Sequence, residues 1–269
     1  MDRRLWPATD RVAHVSLRGQ AACDTWTDGE VLRVQVPIVD LLRSQSGARE
    51  RQLLLGEAFT VIDRDAGHVF GFAVKDGYCG WLPAAALAQA PSPSHWIATV
   101  GTHRYTEPKV QKPEQPLPMG AQVRVTGQTG TFAHVDGGYV PASHLRRMGD
   151  WLTDPVSVAE GLLGTPYLWG GNSRAGIDCS GLVQASFAAC GIAMPGDSDL
   201  QQVVGADVGD DLKRGDLVFW KGHVAMVVSA DRLIHANGFT MSVAYEGIRA
   251  CIDRIAASDG PVTARRRVS

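Results

Sequence analysis

Apolar residues recur along this chain with two different periods, and the change of period falls near Trp151. Before that point apolar and polar residues alternate in short runs, as at Val123 and Val125 and again at Phe132 and Val135, with glycine-bearing turns such as DRDAG and TGQTG between runs. Such alternation with frequent turns predicts short antiparallel strands curled into small barrels. An internal repeat divides the region. GYCGWLPAAAL (residues 77–87) and DGGYVPASHL (136–145) share glycine, an aromatic, Leu or Val, Pro, Ala, two variable positions and Leu. Upstream of each lies a second matching pair, GEAFTV (56–61) and GAQVRV (120–125). Two copies predict two small all-β barrels, over residues 31–90 and 91–148, with the Pro/Ser-rich QAPSPSH (89–95) as linker. Residues 1–30 match neither copy and form an N-terminal extension packed on the rest.

Beyond Trp151 the period lengthens. DPVSVAEGLLG (154–164) sets apolar residues at Val156, Ala159 and Leu163 behind an Asp-Pro start, the spacing of a short helix. CSGLVQASFAACG (179–191) carries one stripe of Val183, Phe187 and Cys190 and another of Leu182, Ala185 and Ala189, with Gly191 as the stop. DSDLQQVV (197–204) reads as a further short helix. The pattern then turns to strands in DLVFW, HVAMVVS and RLIHA. Helices followed by antiparallel strands predict one α+β domain over residues 149–269.

Composition changes this picture little. The chain has 269 residues, 45% hydrophobic and 20% charged, as in ordinary globular proteins. A net charge of −2 gives no electrostatic case for nucleic acid or an anionic membrane as partner. Arg265, Arg266 and Arg267 are expected to form a solvated basic tail. The N-terminal residues have no continuous apolar core of a signal peptide, and no window has the apolar length of a membrane span. The five cysteines are odd in number and scattered, which suits a reducing compartment and makes the cytoplasm the expected location. No Cys/His cluster has zinc spacing and GGNSRAG lacks the Lys-Ser/Thr of a phosphate loop, so neither metal nor cofactor is implied.

The chemistry concentrates at Cys179. A thiol of pKa about 8.5 is mostly protonated at neutral pH, and a helix N-terminus or a nearby imidazolium lowers that value. Cys179 opens a predicted helix behind Asp178, a good N-cap, so it meets the positive end of the helix dipole. The same N-terminus offers free N–H groups, that of Cys179 among them, to an oxyanion. For a base, His223 opens the strand after the Lys221–Gly222 turn and His235 ends the next strand. Antiparallel pairing brings both to one end of the sheet, His223 against Cys179 and His235 orienting His223. A buried structural thiol is the competing reading of Cys179 on spacing alone.

Three blocks decide between them. TPYLWGGNSRAGIDCSGLV, LKRGDLVFWKGHVAMVV and LIHA resemble, in order and separation, the NlpC-type cell-wall cysteine peptidases, over roughly residues 151–267. The resemblance implies a papain-like fold, Cys179 as nucleophile, His223 as base, His235 as third member and Tyr167 near the oxyanion site. It makes Gly215 and Asp216 of RGDLVF a structural turn. The barrels resemble bacterial SH3-like domains attached to such enzymes. The family cleaves peptidoglycan stem peptides between D-γ-glutamate and a diamino acid, diaminopimelate or lysine. A subset with two SH3-like domains requires a free N-terminal L-alanine, its ammonium held by carboxylates and a tyrosine at a cleft end closed by the first barrel. The matching positions here are Asp197 and Ser198, with Tyr78 and Glu57 of the first barrel, while Asp178 and Ser180 flank the nucleophile and are further substrate-contact candidates. Many relatives carry Arg where this chain has Gly196, which removes any salt bridge from that position.

The implied activity is a recycling endopeptidase acting on L-Ala-γ-D-Glu-diamino acid fragments. Three others stay open at this level: an exported enzyme remodelling intact peptidoglycan, an SH3-like wall-binding module with weak catalysis, and another acyl-transfer reaction of a papain-like thiol.

Overall fold

A computed structural model describes residues 2–268 and divides the chain into two compact units, Met1–Met148 and Gly149–Ser269. The first unit begins with a seven-stranded antiparallel sheet drawn from residues 30–88. Its alternate residues Leu32, Val34, Leu41, Phe59, Val61, Val69 and Leu82 point inward as one apolar core. Residues 95–147 form a second all-β region, split into a three-stranded and a five-stranded sheet around Ile97, Leu117, Val123 and Val140.

The sequence repeat has a structural counterpart. In the first copy a strand, Cys79–Pro83, runs through a 3-10 turn, Ala84–Ala86, into a strand, Leu87–Ala88. In the second, Gly138–Pro141, Ala142–His144 and Leu145–Arg147 follow the same course. Pro83 and Pro141, with φ of −58° and −53°, hold the chain at the start of each turn. Gly56 and Gly120, at φ +81° and +86°, make the left-handed bends that open the upstream half of each copy. Residues 2–27 are pinned to the first sheet. Arg3 pairs with Glu50, and Asp63 accepts hydrogen bonds from Thr9 Oγ1 (2.8 Å) and Arg11 Nη2 (2.9 Å).

The second unit is α+β. Helix α1 spans Pro155–Gly161, α2 Cys179–Ala189, α3 Ser198–Gln201 and α4 Ile248–Ala256. Asp154 caps α1 by accepting from Val156 N–H at 3.0 Å, with Pro155 at its first position. The strands are β1 (Ala206–Asp207), β2 (Leu217–Trp220), β3 (His223–Val227), β4 (Arg232–Asn237), β5 (Ser242–Gly247) and β6 (Ala264–Arg267). They form one antiparallel sheet in the order β1-β6-β2-β3-β4-β5. Helix α2 lies against β3 and β4. Cys251 and Ile255 of α4 join Val218, Trp220, Ala225, Val227 and Leu233 in a core on the sheet.

The three arginines expected in a solvated tail are instead strand β6, inserted between β1 and β2. Arg267 grips Asp216 with Nε at 2.7 Å and Nη2 at 2.6 Å, Arg266 pairs with Asp207 at 2.9 Å and Arg265 with Asp210 at 3.2 Å. Those aspartates lie in β1 and in its connection to β2, some fifty to sixty positions earlier, so the sequence shows a run of like charge where the fold supplies its neutralising partners. Asp216 is buried and also accepts from Lys213 N–H at 2.7 Å, so the RGD segment is a structural turn. Among the described residues, no helix is long and apolar enough to cross a membrane.

Candidate active site

Cys179 is the first residue of α2, and Asp178 before it is extended, with ψ 179°. The Asp178 carboxylate accepts from Gly181 N–H at 2.6 Å, from Gly170 N–H at 2.7 Å and from Ser180 Oγ at 3.0 Å. It therefore caps the helix and ties the glycine-rich loop to it in one stroke. Gly181 is required for this approach, since a Cβ there would lie 2.3 Å from the Gly171 carbonyl oxygen. Gln201 of α3 donates to the Ser180 carbonyl at 2.9 Å, which fastens α3 beside the nucleophile.

The thiol is 6% exposed. Backbone N–H groups of Val224, Ser180 and Cys179 face the sulfur and favour the thiolate, as expected of a helix N-terminus. Burial and the Asp178 charge outweigh them and push the thiol up to about 12. The expectation of a depressed pKa is thus reversed in the resting enzyme, because the sequence shows the cap but not the desolvation. A neutral thiol needs a base at the moment of attack.

That base stands one residue from Val224. His223 opens β3 and its Nε2 lies 2.9 Å from Nδ1 of His235 on β4, the rings T-shaped at 5.1 Å. Thiol and imidazole make no hydrogen bond in this resting geometry, a contact that in many enzymes closes only with substrate bound. The Nε2 contact leaves Nδ1 of His223 as the atom available to take the thiol proton. Burial lowers His223 first, with the neighbouring His235 adding to it, to about 3; burial likewise lowers His235 to about 4. Both imidazoles are neutral at pH 7, and a neutral His223 is competent to accept a proton.

Two further residues complete the row, and sequence reasoning missed them. His235, 1% exposed, has its Nε2 3.1 Å from Glu246 Oε2 on β5, with the N–H turned off the line to that oxygen. Glu246 in turn receives two hydrogen bonds from Arg254 of α4, Nε to Oε1 at 2.8 Å and Nη2 to Oε2 at 2.7 Å. Arg254 holds this carboxyl below the usual range. The signal was faint: Glu246 follows His235 by eleven positions, and only the register Leu233↔Glu246 and His235↔Ala244 makes them diagonal neighbours on one face.

The other expected site residues fall into four groups. Tyr167 is half-buried beside Cys179, its N–H bonded to Met241 O at 2.9 Å; burial and the flanking Cys179 and Asp178 raise its hydroxyl, which stays a proton donor. Asp197 stands at the N-cap position of α3 without making the capping bond, and Ser198 behind it is buried. Asp178 and Ser180 are buried and bonded to each other within the fold. In the first unit, Tyr78 is packed into the barrel core, and Glu57 pairs with Lys75 at 2.8 Å while accepting from Leu54 N–H at 3.0 Å. Both were expected as contacts for the substrate ammonium; within the first unit Tyr78 is buried and Glu57 is half-buried.

A thiol on a helix N-terminus, on a helix packed against the strand that one imidazole opens, with a second imidazole bonded to that ring from the next antiparallel strand, is the arrangement of a papain-like cysteine hydrolase. The sequence profile of the NlpC/P60 family matches residues 164–251, and that of the bacterial dipeptidyl-peptidase Sh3 domain matches residues 41–87. The chain therefore joins an NlpC/P60 cysteine hydrolase domain to a dipeptidyl-peptidase SH3 domain. It is 27% identical over 237 residues to gamma-D-glutamyl-L-lysine dipeptidyl-peptidase of Bacillus cereus, covering 72% of this chain and 69% of that one. Against the Bacillus subtilis protein of the same name it is 39% identical over 92 residues, 31% of each. The crystal structure of an NlpC/P60 family protein from Bacillus cereus superposes with a TM-score of 0.77 at 20% identity, covering 88% of this chain and 99% of that one, a likeness of fold.

Proposed function

We propose that this enzyme is a peptidoglycan endopeptidase that hydrolyses the bond between D-γ-glutamate and the diamino acid of a stem peptide whose N-terminal L-alanine is free. The observation that carries the reading is the pairing, in one chain, of the Cys179–His223–His235 site with the dipeptidyl-peptidase SH3 domain at 41–87. The relatives named gamma-D-glutamyl-L-lysine dipeptidyl-peptidase support the same bond. We infer also that residues 91–148 are a diverged second SH3-like barrel, supported by the shared strand, 3-10 turn and strand.

In the reaction, Nδ1 of His223 takes the Cys179 proton as sulfur attacks the γ-carboxamide carbon. The oxyanion forms against the N–H of Cys179 at the α2 terminus, with the Tyr167 hydroxyl as a second donor. His223 returns the proton to the departing amine of the diamino acid, leaving an L-Ala-γ-D-Glu thioester. Water, deprotonated by His223, then releases the dipeptide and restores the thiol. Asp197 of α3 is the carboxylate proposed to face the L-alanine ammonium, with Ser198 beside it.

The substrates proposed are stem-peptide fragments met in the cytoplasm during murein recycling. Purified enzyme should release L-Ala-γ-D-Glu from the free tripeptides ending in lysine or diaminopimelate, and Cys179→Ala should abolish release while its circular dichroism and melting match the parent. Equal turnover of N-acetylated tripeptide or intact sacculi would overturn the requirement for a free amine.

A further inference from the structure

The orienting histidine has no orienting hydrogen bond of its own along the sheet, and its environment supplies a charge instead. For His223 Nδ1 to accept the thiol proton, the proton of the neutral ring must sit on Nε2. That proton is donated to Nδ1 of His235 across 2.9 Å, so Nδ1 of His235 must be bare and its own proton must sit on Nε2. One tautomer of His235 therefore arms the base, and the other, with Nδ1–H aimed at His223, would turn Nδ1 of His223 into a donor and disable it.

What lies at Nε2 of His235 decides which tautomer is present. The nitrogen is buried, makes no aligned hydrogen bond, and stands 3.1 Å from the Glu246 carboxylate. A carboxylate is acceptor only, so it favours a proton on the nitrogen it faces and repels a bare lone pair. Arg254 holds that carboxylate ionised through its two-pronged grip, and the Arg254 guanidinium is itself seated over the Phe239 ring at 4.7 Å. The Cys251 thiol of α4 also lies within 4.8 Å of the Glu246 carboxylate and of a His235 ring nitrogen. His223, Glu246, Cys251 and Arg254 are the charged or titratable groups around His235, and Asp259 acts more weakly on His223. Of these, only Glu246 can bias His235 toward the Nε2–H form.

We propose that Glu246, fixed by Arg254, is a positioning residue that selects the Nε2–H tautomer of His235 and thereby arms His223 as the base for Cys179. It never touches substrate. When His223 carries the thiol proton, the same carboxylate faces the far end of the cationic row and stabilises it, so its contribution falls on proton transfer rather than on binding.

The proposal rests on the cysteine hydrolase assignment, and its test needs no substrate. Nitrogen-15 chemical shifts of the labelled full chain at pH 7 report the two tautomers directly. Both His235 and His223 should show protonated Nε2 and bare Nδ1; a protonated Nδ1 on His235 in the parent protein overturns the proposal whatever any variant does. Alkylation of Cys179 by iodoacetamide, followed peptide by peptide in a mass spectrometer, gives the second readout. Glu246→Gln, which offers an NH2 where an oxygen stood, should slow it by roughly tenfold or more at pH 7 and bring up the Nδ1–H signal of His235. Glu246→Asp should recover most of the rate. A Glu246→Gln protein that alkylates like the parent, or one that slows with His235 still in its Nε2–H form, overturns the proposal. Insensitivity of Cys179 labelling to His223→Ala would instead sink the cysteine–histidine assignment beneath it.

Discussion

Asp178 shows how one side chain can serve the fold and oppose the chemistry. Its carboxylate caps α2 and anchors the Gly170 N–H, yet its charge is the second cause, after burial, of the raised thiol. Asp178→Asn keeps an oxygen for one of those N–H groups and removes the charge. The expected outcome is a Cys179 alkylation profile displaced to lower pH, together with a stability loss of about 1–2 kcal/mol in urea from the misplaced amide. At this scale the sequence was generous with the reacting atoms. Cys179 and His223 carry a local mark, a helix start and a strand start, whereas His235 lies inside β4 and not at the strand end expected of it, and only the family-like blocks singled it out. Glu246 and Arg254 were not legible, because a charged residue on an edge strand and another on an amphipathic helix have no local mark. Their meaning arises only where β4, β5 and α4 meet. Tyr78 and Glu57 have ordinary partners within the first unit, Tyr78 in its core and Glu57 in a pair with Lys75.

Among elements, the β3/β4 hairpin stores a pH response. His223 and His235 are both harder to protonate in the fold than the value of about 6.5 usual for an unfolded chain. Below pH about 6.5 the unfolded state therefore binds protons that the native state refuses, and stability falls as pH falls, the loss running down to the native values. Each imidazole contributes up to about 1.4 kcal/mol per pH unit across that window. The melting temperature should drop between pH 6.5 and 5 and stay level above neutrality, as far as these groups decide it. His235→Asn should flatten the slope by about half, which calorimetry at a series of pH values would show. The turn before β2 carries a separate element-scale commitment. Asp216 is buried and paired with Arg267 of β6, and Asp216→Ala leaves that arginine without its partner. A lower urea midpoint is expected, chiefly because the Lys213 N–H loses its acceptor while the partly exposed Arg267 can rehydrate.

At the scale of the whole molecule, two compact units reflect two sequence periods. The change from period two to period 3.6 near Trp151 is the physical form of the boundary, and the repeat in the first unit survives as strand, 3-10 turn and strand because proline and glycine hold the same backbone angles in both copies. Pairing order in the second sheet was beyond the sequence, since nothing local marks residues 264–267 as an interior strand. That placement governs assembly in time. On the ribosome, residues 217–220 and 206–207 emerge some fifty to sixty positions ahead of the strand that must lie between them. Until it arrives, the catalytic sheet has two open edges able to pair with other nascent chains. A chain stopped at Val262 should accordingly be recovered as aggregate or cut by protease, its Cys179 alkylating at the rate of an unfolded thiol whether or not His223 is replaced by Ala. The order of synthesis thus sets the nucleophile well ahead of the strand that completes its sheet.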